Sequence, residues 1–192
     1  MLNKLGDHPG LPLLFGVCSK GTPYRLIMQF HGEKGGNSLS ISSALSKKNI
    51  TDQATWTRII VKTAEALAHV HNVGFLRNDL KSNNVVLDNK AGSYEPVIID
   101  FGKSVPISGA RGPKQFSVER KKRYTRDFPH VAPEIFEGIK GQSIASDIFS
   151  FAKIAETIFK KAELGRLPHV VVRALNADPS RRPGLHKIIR SL

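Results

Sequence analysis

The sequence predicts an α+β fold, mainly helical, with a small amount of β-sheet towards its N-terminal end. Two observations carry the helical part: residues 55–73 place Ile59, Ile60, Ala64, Leu67, Ala68 and His71 at helical spacing, and residues 143–159 read as a second, buried helix. A third carries the sheet: short apolar runs at residues 11–17 and 24–30, and at 85–87 and 97–99, each flank a polar or Gly/Pro-rich turn. A chain of 192 residues suits one domain with a sizeable core, or one lobe of a larger domain with part of another.

Taken in order, residues 1–5 form a short helical piece that Gly6-Asp7-His8-Pro9-Gly10 breaks, because Pro and Gly stop helices and make turns. The runs 11–17 and 24–30 are strands joined by a hairpin turn at 19–23, and 31–36 is a polar, Gly-rich linker. Residues 39–45 suit a short helix. The long helix over 55–73 ends at Gly74, with Trp56 and His71 read as packing residues. Residues 85–87 and 97–99 are strands around a polar turn at 88–95. Residues 103–131 read as a loop carrying a basic run, Arg120-Lys121-Lys122-Arg123. After the helix at 143–159, two last helices flank Asp178-Pro179-Ser180-Arg181-Arg182-Pro183. There is no internal repeat and no low-complexity tract.

Composition bounds the function. An apolar content of 40% with scattered charge argues against disorder. The formal net charge of +13 fits either nucleic-acid or acidic-membrane affinity, or a basic enzyme whose partners are phosphorylated nucleotides. Lys and Arg are dispersed along the chain, which favours the enzyme and counts against nucleic acid. Cys18 is the single cysteine, so no disulfide forms within the chain, which fits a reducing compartment. No apolar run reaches the roughly 18–20 residues of a membrane span, and Asp7, His8 and Pro9 precede the apolar run at 11–17 where a signal peptide carries positive charge. The expectation is a cytoplasmic protein, with nuclear import as the competing reading of the basic run. Oligomeric state is left open.

The chemistry concentrates in Gly74-Phe75-Leu76-Arg77-Asn78-Asp79-Leu80-Lys81-Ser82-Asn83-Asn84 and in Val97-Ile98-Ile99-Asp100-Phe101-Gly102. A carboxylate (Asp79), an amine (Lys81), an amide oxygen (Asn84) and a second carboxylate (Asp100) stand around a short hairpin. Such a set can bind a metal-bound phosphate and receive a hydroxyl proton.

These residues resemble a protein kinase catalytic loop followed by its metal-binding Asp-Phe-Gly. Ala132-Pro133-Glu134, Ser146-Asp147 and Arg182-Pro183 follow in the family's order, so the resemblance covers nearly the whole chain. It implies a protein-kinase-like fold, with residues 1–31 a remnant of the small lobe and 32–192 the large lobe. It implies transfer of the ATP γ-phosphate to a protein Ser/Thr hydroxyl, with Tyr as the competing acceptor. Asp79 would take the hydroxyl proton, Lys81 would neutralise the transferring phosphoryl group, and Asn84 and Asp100 would hold Mg²⁺. Met28 would be the gatekeeper, the backbone of Gln29, Phe30 and His31 would bind adenine, and Val86 would lie beneath it. Residues 103–131 become the activation segment, with Ser117, Tyr124 and Thr125 as candidate phosphoacceptors. Asp147 would prop the catalytic loop, and Arg182 would form a buried pair with Glu134.

The sequence departs from the family in three ways. It holds no glycine-rich phosphate loop, small-lobe lysine or partner glutamate, which reads as N-terminal truncation and predicts a chain weak or inactive alone. Arg77 and Asn78 replace the family's His-Arg before the catalytic aspartate, placing a charge at an apolar position. Asp127 falls where serine/threonine kinases carry threonine. The alternatives are a pseudokinase or scaffold, a basic nucleic-acid or membrane-surface module, and a small-molecule phosphotransferase; Ala-Pro-Glu, Asp147 and Arg182-Pro183 argue against the last.

Overall fold

The computed structural model describes residues 1–23, 25–32, 36–90 and 93–192, with Lys90 described by its backbone alone. Tyr24, assigned to the second strand, residues 33–35 of the polar linker and residues 91–92 of the polar turn lie outside the described residues.

Helix α1 (Leu2–Leu5) precedes an antiparallel hairpin of β1 (Leu14–Cys18) and β2 (Arg25–Met28). The first strand starts later than residue 11, because Pro12 has no N–H to give to a ladder and Leu11 is instead buried in the core. The hairpin is largely exposed, with Phe15, Leu26 and Ile27 open to solvent.

Two long helices form the axis of the core. Helix α3 (Gln53–Asn72) follows the short α2 (Ile41–Lys47), and the Asp52 carboxylate caps it by accepting from the Thr55 N–H at 2.7 Å. Trp56 is fully buried and donates its Nε1–H to the Ile50 carbonyl at 3.1 Å, a packing role as expected. Helix α6 (Ile144–Lys161) starts with a capping box in which Ser143 and Ser146 satisfy each other's backbone N–H. The two helices pack together, and β5 (Ser93–Ile98) and α8 (Leu185–Ser191) close over α3. Helix α7 (His169–Ala174) packs on α6 and contributes Val171 and Ala174 to the same core.

Strand β4 (Val85–Lys90) pairs antiparallel with β5 from Val85 opposite Ile98 to Lys90 opposite Ser93. Both strands therefore run through what the sequence presents as a polar turn over 88–95. The hairpin projects beyond the core, and polar side chains there can alternate into solvent without breaking the ladder. A third small pairing joins β3 (Phe75–Leu76) to β6 (Val105–Pro106).

The stretch 103–131 is not a plain loop. It holds helix α4 (Val118–Asp127), and the basic run lies on it. Ser117 Oγ caps α4 by accepting from the Arg120 N–H, Glu119 sits in its first turn, and straight-chain Arg and Lys favour helix. Tyr124 stacks against Phe116 with ring centroids 5.2 Å apart and meets Phe128 at the same distance. Those ring contacts give a short charged helix an apolar seat, an interaction that residue-by-residue polarity hides.

Helix α5 (Pro133–Phe136) carries Glu134, whose buried carboxylate meets the Arg182 guanidinium. No helix among the described residues is long and apolar enough to cross a membrane. The result is an α+β fold, predominantly helical, with small antiparallel sheets.

Candidate active site

Strand β3 leads directly into Arg77-Asn78-Asp79, and Asp147 on α6 holds the backbone of that turn. Its Oδ2 accepts from the Arg77 N–H at 2.7 Å and its Oδ1 from the Asn78 N–H at 2.8 Å. His71, at the end of α3, reaches the same carboxylate through Nε2 at 2.9 Å. His71 therefore does more than pack: it ties α3 to the prop beneath the turn. Asn78 sits at φ 61, a left-handed conformation that Asn tolerates better than most residues.

Arg77 is fully buried, as a residue at an apolar position must be. Its Nη2 donates to the Ile99 carbonyl at 2.6 Å, and its guanidinium lies over the Phe101 ring, 5.0 Å from the centroid. The charge is accommodated by a cation–π contact and by the fields of three carboxylates. Burial pulls the Arg77 guanidinium down from its ordinary pKa, against Asp100, Asp79 and Asp147, which favour the charged form.

Asp79 lies at the centre of a dense polar cluster. Lys81 Nζ is 3.3 Å from its Oδ2, and Lys103 Nζ is 3.0 Å from its Oδ1. His130 Nε2 faces Oδ1 at 3.3 Å. Burial alone would push the Asp79 carboxyl up; the hydrogen bonds and charges of Lys103 and Lys81 outweigh it and hold it below the usual carboxylate range. The His130 imidazole is pushed down, chiefly by burial, with Asp79 opposing.

Asn84 completes the turn. Its Nδ2 donates to the Asp79 carbonyl at 2.9 Å and faces Asp79 Oδ2 at 3.3 Å. Both partners are acceptors, so the amide nitrogen must point at them and the amide oxygen away. The Ile99 N–H donates to the Asn84 carbonyl at 2.9 Å, which carries the β4–β5 ladder one step further, to the residue before Asp100. Asp100 occupies the left-handed region at φ 59, with its Oδ1 accepting from the Gly102 N–H. One amide oxygen and one carboxylate suit Mg²⁺, which keeps several waters and takes phosphate oxygens for the rest. No cluster of three or more His, Cys, Asp or Glu that could hold a metal occurs among the described residues.

A cleft of about 740 Å³ opens between the β1–β2 hairpin and the β4–β5 ladder. Met28, Gln29, Phe30, His31 and Val86 all line it, as do Asp100, Phe101 and Gly102. Asp79, Lys81 and Asn84 are not among the lining residues. The His31 side chain is buried against Asp88, with Nδ1 3.3 Å from Oδ2, and its carbonyl accepts from the Ser38 hydroxyl at 2.9 Å.

Sequence reasoning missed Lys103 and His130. Lys103 directly follows Asp100-Phe101-Gly102, and that adjacency was the available signal. The β3–β6 pairing extends through Ser104 Oγ donating to the Arg77 carbonyl and Asn78 Nδ2 donating to the Lys103 carbonyl, which sets Lys103 against the Asp79 turn. Asp127 does not reach the cluster; it pairs with Arg126 and Arg123 on the exposed end of α4.

A family model described as the protein kinase domain matches residues 1–173. The chain belongs to the protein kinase family. It is similar to serine/threonine-protein kinase GIN4 of Saccharomyces cerevisiae, 28% identical over 170 residues, covering 88% of this chain and 13% of that protein. It is also similar to human receptor-interacting serine/threonine-protein kinase 1, 26% identical over 85% of this chain and 24% of the relative. The putative cysteine-rich receptor-like protein kinase 33 of Arabidopsis thaliana is 28% identical over 97% of this chain and 35% of its own length. This kinase chain thus spans about a third or less of those relatives' lengths. Kinases of the family work with ATP and Mg²⁺.

Proposed function

We propose that this kinase domain transfers the γ-phosphoryl group of ATP to a Ser or Thr hydroxyl of a protein, with Tyr as the competing acceptor, and that the 192-residue chain alone does so weakly or not at all, a pseudokinase or scaffold being the alternative reading. Residues 1–31 form the small-lobe side of the nucleotide cleft and residues 32–192 the large lobe. The observation that carries the reading is the Asp79 carboxylate, held between Lys81 and Asn84, with Asp100 among the residues that line an apolar cleft. The similarity to two named serine/threonine kinases supports the acceptor class. A cytoplasmic setting fits the single, exposed Cys18.

The resemblance to the kinase family and the placement of these residues support the following roles. Adenine lies in the cleft against Val86 and the backbone of 29–31, with Met28 at its rear. The acceptor hydroxyl meets Asp79, which orients it and takes its proton. The hydroxyl oxygen bonds to the γ-phosphorus as the bond to the bridging oxygen breaks, and that electron pair leaves with ADP. Lys81 offsets the charge on the moving phosphoryl group. Asn84 and Asp100 would hold Mg²⁺, which supplies charge neutralisation across the phosphates when bound. Asp79 is a weak base, so it serves mainly to position the hydroxyl and to receive its proton late.

Thermal-shift titration tests the first part: ATP with Mg²⁺ is expected to stabilise the chain, and Asp100→Asn to abolish the Mg²⁺-dependent share. Transfer from labelled ATP to Ser, Thr and Tyr peptide pools tests the second. Asp79→Asn is expected to lower transfer about 10²–10⁴-fold. Absence of ATP binding, or transfer that survives Asp79→Asn, would overturn the proposal.

A further inference from the structure

Two ammonium groups share one carboxylate, that of Asp79. Lys81 Nζ contacts Asp79 Oδ2 and Lys103 Nζ contacts Oδ1, so the two bracket the carboxylate from opposite oxygens. With Arg77 and the Asp100 and Asp147 carboxylates close by, the cluster as a whole carries no excess of charge, so an arriving anion would have to take one lysine away from Asp79.

The two lysines are also free to move. The Lys103 side chain is 64% exposed and the Lys81 side chain 36% exposed, whereas the Asp79 side chain between them is only 7% exposed. Because the lysine ends are exposed, either ammonium can turn to another anion while the other lysine stays paired with Asp79. The backbone of Lys103 is meanwhile held in place by the Asn78 Nδ2 bond to its carbonyl at 3.2 Å and by β6 pairing two residues on. A fixed root with an exposed ammonium suits a group that must follow a moving charge.

We propose that Lys103 is a second phosphate-binding cation, acting with Lys81 as a two-lysine clamp on the transferring γ-phosphoryl group. The inference rests on the nucleotide-binding reading and adds a residue to it. In the resting chain Lys103 holds Asp79 Oδ1. When the γ-phosphate arrives, the Lys103 ammonium turns to its oxygens and Oδ1 is freed to accept the acceptor hydroxyl. The bond from hydroxyl oxygen to phosphorus forms, the bond from phosphorus to the bridging oxygen breaks with its electron pair passing to ADP, and the hydroxyl proton moves to Asp79. The two lysines together offset the charge that shifts between them.

A lysine that reads the γ-phosphate discriminates ATP from ADP, whereas one that merely pairs with Asp79 does not. Binding of ATP, ADP and adenosine in Mg²⁺ is measured calorimetrically on the unmodified chain and on Lys103→Ala and Lys103→Arg. Lys103→Ala is expected to weaken ATP about 10-fold or more, the loss of a charge-assisted hydrogen bond. ADP and adenosine affinity are expected to stay within about twofold, and Lys103→Arg to retain most of the preference for ATP. The lysine side chain is exposed, so both variants are expected to melt with the unmodified chain. An unchanged ATP-to-ADP ratio in Lys103→Ala would overturn the clamp and leave the nucleotide reading standing. Failure of the unmodified chain to bind ATP at all would overturn both.

Discussion

Arg182 and Glu134 form a bidentate ion pair sealed from solvent. Nη1 donates to Oε1 and Nη2 to Oε2, each at 2.7 Å, between side chains only 0% and 1% exposed. The remaining guanidinium hydrogens reach the carbonyls of Ala145, Asn176 and Ala177, and the group stacks over Phe149 at 4.9 Å. Arg182 thereby joins α5, the start of α6 and the segment before α8. Glu134→Gln strands a buried cation and is expected to cost about 3–5 kcal/mol in denaturant unfolding. A paired replacement, Glu134→Leu with Arg182→Met, is expected to recover most of that loss. A single-variant cost below about 1 kcal/mol would contradict the pairing.

Asp147 accepts three hydrogen bonds, from the backbone of Arg77 and Asn78 and from the His71 ring. Asn at this position has one acceptor oxygen, and its NH₂ would face a donor. Asp147→Asn is therefore expected to destabilise by at least about 2 kcal/mol and to speed hydrogen exchange at the Arg77 and Asn78 amides. Native-like exchange at those two amides would show that the turn holds itself.

His130 provides a pH readout of the cluster. Burial lowers its pKa first, Asp79 raises it, and Lys81 and Lys103 lower it further. An NMR titration is expected to give a midpoint below the ordinary value near 6.5. Asp79→Asn should move it lower still, and Lys103→Ala should move it up. The folded pKa lies below the unfolded one, so the unfolded chain binds more protons in that window. Stability is then lost as pH falls from the unfolded pKa through the folded pKa of His130. Asp79, also depressed, has the same sign in a more acidic window. A His130 midpoint above the ordinary value would refute this account.

Helix α4 depends on its cap. Ser117→Ala removes the acceptor for the Arg120 N–H and is expected to cost that helix about 1 kcal/mol. Exchange at Arg120 and Lys121 should accelerate about fivefold while α3 is unaffected. Unchanged exchange would mean that the stacking of Phe116, Tyr124 and Phe128 holds the helix without the cap.

Much of this kinase chain is legible along the sequence. Helices α3 and α6 announce themselves through apolar periodicity, because burial of one face is a local pattern. The protein kinase family is readable from Asp79, Asn84, Asp100, Glu134, Asp147 and Arg182, because their order is covalent. The helical character of 118–127 was not legible: its seat is a set of ring contacts with Phe116 and Phe128 rather than an apolar stripe. The length of the β4–β5 hairpin was obscured in the same way, since polar residues at 88–95 serve a turn or a solvent-exposed ladder equally well. The Asp79 cluster lies furthest from sequence reasoning. Lys103 and His130 stand 24 and 51 residues from the carboxylate that they face. Chain order names Asp79 and Lys81 as partners; it is the β3–β6 register and the packing of the segment before α5 that bring a second lysine and a histidine to the same two oxygens. Charge acts through space, so the set of cations around Asp79 is settled only once the chain has closed on itself.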